Sequence, residues 1–133
     1  MTARALQMVH DRDPKDVLLE QAGPFAEKLT PIGARVLVAT YIRPRKLASG
    51  LELPDKYIQE DEYQGKVGLV IKMGALAFTE DEGHQWGNVV PKVGDWVLMN
   101  IGDTKRLSVG KNTCRFIEDV NVQAILTDPD AVY

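Results

Sequence analysis

The chain has 133 residues, 44% of them apolar, and a formal net charge of −3. That length suits one domain with a sizeable core. The slight negative charge offers no broad basic field for nucleic acid, and no apolar run approaches the ~20 residues that span a bilayer. The N-terminus lacks the positive start and apolar core of a secretory signal, and the single cysteine, Cys114, supports neither an internal disulfide nor a zinc site. A cytoplasmic protein with no membrane partner is expected, with Cys114 an inert buried thiol.

Residues 1–30 read as an N-terminal helical extension. Asp13 can cap a helix, Pro14 suits its first position, and Asp16 favours its positive end. Leu18, Ala22, Phe25 and Leu29 follow at spacings of four, three and four, which places them on one helical face. Gly23-Pro24 interrupts that face, so the expectation is a short helix over about 14–22, then a break. Such a segment either packs on its own domain or serves as a docking arm for a neighbouring subunit or partner.

From residue 31 onward the pattern changes to strands and turns. Strand runs are expected at 35–41, 66–73, 96–99, 105–109, 113–117 and 122–126, rich in Val, Ile and aromatic residues. Gly74, Gly94-Asp95, Gly102-Asp103 and Gly110-Lys111-Asn112 supply punctuation between them. In Val93-Gly94-Asp95, Gly94 can take a positive φ and Asp95 can accept from nearby amides, so this turn needs no function. Short strands with closely spaced turns argue for a mainly β fold, a small barrel or sandwich over residues 31–133.

The segment Leu47-Ala48-Ser49-Gly50-Leu51-Glu52-Leu53-Pro54-Asp55 lies between the first two strands and carries leucines in alternation. Leu51 and Leu53 point to one side of an extended chain. Each gains about 1.5–3 kcal/mol on full burial, yet ordering the backbone costs about 1–2 kcal/mol per residue. One such loop therefore binds weakly, and several copies on a ring bind far better. Leu51 and Leu53 either enter a groove on a partner or pack back on their own barrel.

The order of Pro31, Arg35-Val36-Leu37-Val38, Ala48 to Asp55, Gln64-Gly65-Lys66-Val67 to Gly74, Pro91 to Val97 with its Val93-Gly94-Asp95, and Val120 to Leu126 resembles the chaperonin-10 (GroES-like) family. The resemblance covers roughly residues 31–126. It implies a small, partly open β-barrel. It also implies a mobile-type loop over 43–63 whose Ser49, Gly50, Leu51, Glu52, Leu53 and Pro54 would dock on a GroEL-like chaperonin. Residues 75–90 match the place of the family's roof hairpin, with Glu80, Asp81 and Glu82 expected to face water because charges are not buried unpaired. Phe78 and Trp86 either pack the base of this hairpin or form an exposed contact patch. Where family loops commonly carry an aliphatic residue, this chain has Glu52, facing away from the two leucines. The basic run Arg43-Pro44-Arg45-Lys46 reads as a solvated flank or as a contact for an acidic partner surface.

The resemblance implies a co-chaperonin that caps a chaperonin ring and assists folding, as a homo-oligomer with sevenfold symmetry, with ATP handled by the partner. No enzyme is expected, and no cofactor, metal or catalytic residue. Ser49 and Ser108 lie in no Gly-x-Ser-x-Gly, and His10 and His84 stand far apart. No phosphate-binding glycine loop appears, and the cysteine and histidine ligands of the zinc dehydrogenases that share this fold are missing. The alternative is a structural or assembly protein, such as a phage capsid-associated component in a host cell or virion, that reuses the barrel. A third option is a binding module built on Phe78 and Trp86. A lid needs a mobile loop over 43–63, and a structural protein needs the same residues packed.

Overall fold

A computed structural model describes residues 12–42, 51–52, 54–56, 59–60, 65–102, 104–110 and 112–132. Helix α1 spans Pro14–Ala26, and six strands follow: β1 Arg35–Thr40, β2 Val67–Met73, β3 Trp96–Met99, β4 Lys105–Val109, β5 Asn112–Glu118 and β6 Val122–Leu126. All six expected strands are present within a residue or so of their expected ends. They form one antiparallel sheet in the order β4-β5-β1-β2-β3-β6.

That order forces the sheet to curl. β5 ends at Glu118 and β6 begins at Val122, joined by a single 3₁₀ turn over Asp119–Asn121. In the sheet, β1, β2 and β3 lie between them. Four strand spacings across a flat sheet are about 19 Å, whereas the linking residues reach about 14 Å fully extended. The sheet must therefore bend until the far ends of β5 and β6 approach each other. The short turn fastens the bend: Asp119 N–H donates to the Ala34 carbonyl at 3.0 Å, and Asn100 N–H donates to the Asn121 carbonyl at 2.8 Å. Among the described residues β4 and β6 do not pair, so the barrel stays partly open.

Alternation along the strands divides the core in two. Leu37, Ala39 and Tyr41 pack with Val67, Leu69, Ile71, Trp96 and Cys114. Val36 and Val38 pack on the opposite face with Val70, Val97, Met99, Ile117 and Phe78. A bulge between Leu37 and Val38 shifts the β1–β2 register, Leu37 facing Lys72 and Val38 facing Val70. It adds local bend and twist where the sheet curls. Gly74, at the end of β2, permits a close crossing. A Cβ there would overlap the Gly33 carbonyl oxygen and sit 3.1 Å from that of Arg35.

Asp13 caps α1 by accepting from Lys15 N–H at 3.0 Å, with Pro14 at the first turn as the sequence predicts. The expected break at Gly23-Pro24 does not occur: the helix continues to Ala26. Pro24 falls in the last turn, where its missing N–H forfeits one bond to the carbonyl of Glu20, itself on the exposed side. Continuation also changes the buried face. Ala26, four residues after Ala22, enters the core with Leu18, Leu19 and Leu29, while Phe25 is half exposed beside Gly110. Over its described residues the helix packs on its own barrel, one of the two roles left open by the sequence.

Lys72 fixes that docking. Its ammonium donates to the carbonyls of Ala26 at 3.1 Å and Leu29 at 2.7 Å, across more than forty residues of chain. Ala26 is the last residue of α1 and Leu29 lies just beyond it, so the ammonium sits at the negative end of the helix dipole. At the other side, Asn112 Nδ2 donates to the Leu18 carbonyl at 3.3 Å.

Candidate partner-binding site

The chain leaves the sheet after β1 and returns at β2, and the two ends of the intervening loop are tied to each other. Tyr41 N–H donates to the Val67 carbonyl at 2.8 Å, and Met99 N–H donates to the Lys66 carbonyl at 2.8 Å. The Tyr41 side chain is buried, its ring edge-on to Trp96 at 5.3 Å between centroids and 69° between planes. Its hydroxyl donates to the Asp130 carboxylate in the 3₁₀ turn Pro129–Val132. The loop thus springs from a packed, hydrogen-bonded root.

Of the six candidate loop residues, Leu51, Glu52 and Pro54 are described, and all three are exposed. Leu51 keeps 69% of its surface accessible, so it is not buried in its own barrel. Ser49, Gly50 and Leu53 lie outside the described residues, as do 43–48 with the basic run. Beyond Pro54 the backbone is helical at Asp55, Lys56, Gln59 and Glu60, all exposed, a local turn that the sequence reading treats as plain loop.

The segment between β2 and β3 folds as a small hairpin pinned at both ends. At its tip Asp81 and His84 exchange backbone hydrogen bonds at 3.0 and 3.3 Å, while Asp81 Oδ1 accepts from Gly83 N–H at 2.8 Å and lies 3.1 Å from His84 Nδ1. The Gly83 amide, then His84, holds the Asp81 carboxyl below its ordinary range. Glu80, Asp81 and Glu82 are all exposed.

At the base of the hairpin Phe78 is buried and meets Trp86 edge-on at 5.1 Å, and Trp86 Nε1 donates to the Thr79 carbonyl at 3.1 Å. His84 stacks on the outer face of Trp86 at 6.3 Å. The two aromatics therefore pack the hairpin down on the barrel. Phe78 has φ +58, unusual for a bulky residue. The buried carboxylate of Asp119 accepts from its N–H at 2.9 Å and holds it there. Nothing in the local sequence signals this bond, which joins positions forty-one residues apart.

The hairpin runs back into β3 through Val93-Gly94-Asp95, which behaves as expected. Gly94 has φ +93, and Asp95 Oδ2 accepts from Lys92 N–H at 2.9 Å. Val70 exchanges backbone bonds with Gly94 and Asp95 at 2.8 and 3.0 Å, which fastens the turn to β2. Cys114 is fully buried, and desolvation pushes its thiol up to about 12. Among the described residues no group of three or more His, Cys, Asp or Glu could hold a metal ion, and no helix is long and apolar enough to cross a membrane.

A curled antiparallel sheet with a rooted loop after β1 and a folded-down hairpin after β2 is the arrangement that the order of motifs implied. The family described as Chaperonin 10 Kd subunit matches residues 28–126, about three quarters of the chain. The chain belongs to the chaperonin-10 family. No curated protein matches it. The chaperonin-10 match begins before β1 and ends with β6, and it leaves α1 outside. The family is one of co-chaperonins and not of enzymes; its members work as oligomeric rings beside a chaperonin.

Proposed function

We propose that this chaperonin-10 protein is a lid: a ring of barrels whose loops, residues 47–55 with Leu51 and Leu53 as anchors, dock in apolar grooves on the end of a chaperonin ring. The observation that carries the reading is Leu51, which stands largely exposed on a loop whose root is buried and hydrogen-bonded. An exposed apolar anchor on a fixed base is what groove binding requires. One loop gains too little to hold alone, so capture depends on several loops engaging together, seven in a ring of the family's symmetry. Docking would close the chamber over a substrate protein, with ATP bound and hydrolysed by the partner. Glu80, Asp81 and Glu82, exposed on the packed hairpin, would lie on the roof of such a ring, and the site of action would be the cytoplasm.

The double variant Leu51→Ser, Leu53→Ser tests the loop assignment. It should keep the wild-type melting temperature and oligomeric mass while losing capture by a bacterial chaperonin in the presence of nucleotide. A variant that still binds and stimulates that chaperonin would place the contact elsewhere on the barrel.

A further inference from the structure

Both ends of the described chain converge beneath the loop root. The C-terminal turn Pro129–Val132 follows β6 directly, with Pro129 buried and Asp128 Oδ1 accepting from Asp130 N–H at 2.9 Å. That internal bond orients the Asp130 carboxylate toward Tyr41, whose hydroxyl donates to it. Tyr41 is the last buried residue before the loop, and the neighbouring Trp96 holds its ring edge-on. A cleft of about 260 Å³ is lined by Trp96, by Asp13, Pro14 and Lys15 at the start of α1, and by Asp128 to Asp130. The loop root, the C-terminal turn and the N-terminal helix thus share one small assembly around Trp96.

We infer that the Tyr41–Asp130 contact is a positioning contact: the C-terminal turn seats the root of the partner-binding loop and limits how many residues are free to move with it. The inference rests on the loop reading given above. A loop that is loose beyond its root must order more backbone on docking, and each additional residue costs affinity. Tyr41 touches no partner in this account. It acts through the loop, because its own backbone N–H closes the root on Val67. The hydrogen bond that Tyr41, at the root of the loop, donates to Asp130 in the C-terminal turn therefore trims the entropy lost in binding.

Three single variants of the full-length protein separate this role from simple stabilisation. Tyr41→Phe removes the hydroxyl and leaves the ring on Trp96; Asp130→Ala removes the acceptor; Asp130→Asn keeps an oxygen that can accept. Two readouts are taken: backbone amide relaxation at Gly65, Lys66 and Val67, and capture by a bacterial double-ring chaperonin loaded with ADP. Tyr41→Phe and Asp130→Ala should each raise nanosecond motion at the root and weaken capture, by up to about tenfold for one hydrogen bond. The double variant should be no worse than either single, and Asp130→Asn should restore both readouts.

Rigid amides at 65–67 in Tyr41→Phe and Asp130→Ala would overturn the inference, whatever happens to the melting temperature. A loosened root with unchanged capture would overturn it as well. If the wild-type protein ignores the chaperonin, the lid reading fails by itself, and the relaxation data alone decide whether Asp130 seats the root.

Discussion

Replacing Lys72 with methionine asks whether α1 is a fixed part of the barrel or an arm that can leave it. Methionine keeps most of the side chain's length and apolar stem while removing the ammonium. The wild-type ammonium makes two hydrogen bonds, 2.7 Å to the Leu29 carbonyl and 3.1 Å to that of Ala26. A hydrogen bond to a charged group nets about 1.5–3 kcal/mol. Lys72 is only partly buried, so water can take up some of the lost bonding, and about 2 kcal/mol for the pair is the reasonable total. For a chain of this size that corresponds to a melting temperature about 6–10 °C lower.

The assay is urea unfolding followed by circular dichroism at fixed protein concentration, with amide exchange at residues 25–29 as the local probe. Lys66→Met, at an exposed position just before β2, is the control and should change little. Loss of exchange protection at the end of α1 should accompany the drop in stability. If Lys72→Met stays within about 0.5 kcal/mol of wild type with α1 still protected, the clamp contributes nothing and the reasoning is wrong.

Gly74→Ala should destabilise the barrel by about 2–4 kcal/mol, because the new methyl overlaps the Gly33 carbonyl, which is held in place by the Leu76 N–H; denaturant midpoints measure it. Thr40→Val should be neutral or raise stability by about 1 kcal/mol, since the buried Thr40 hydroxyl has no hydrogen-bond partner among the described residues. Cys114 should resist iodoacetamide at pH 8 in the folded protein and react on unfolding, as its thiol titrates near 12 instead of 9. The same shift fixes a sign. Below pH 9 the thiol is neutral in both states; above it only the unfolded chain ionises, so stability should decline as pH climbs from about 9 towards 12.

The strands were legible because runs such as Arg35–Thr40 and Val67–Met73 are apolar and rich in β-branched residues, the second bracketed by Gly65 and Gly74. The turn at Gly94 was legible for the same local reason. What escaped the sequence depends on contacts between distant positions. Gly23-Pro24 reads as a stop, yet near the end of a helix it costs a single solvent-side bond, and packing of Ala22 and Ala26 against the sheet carries α1 through. Lys72 looks like a surface lysine within a strand until the helix end arrives above it.

Asp119 and Asp130 look like ordinary turn acids, and only the curl of the sheet brings them to Phe78 N–H and the Tyr41 hydroxyl. For the loop, the alternation of Leu51 and Leu53 left groove binding and packing on the barrel both open, and Leu51 stands exposed. The root that holds the loop had no local signature, because half of it comes from the far end of the chain.

The central claim is nucleotide-dependent docking on a chaperonin, and the direct measurement is co-sedimentation or pull-down of the purified protein with a bacterial chaperonin, with and without ATP, alongside its mass in solution. The account predicts capture only with nucleotide, by a species with the mass of a ring. A folded protein that the chaperonin ignores in both states would contradict it and shift the barrel to a structural or assembly role.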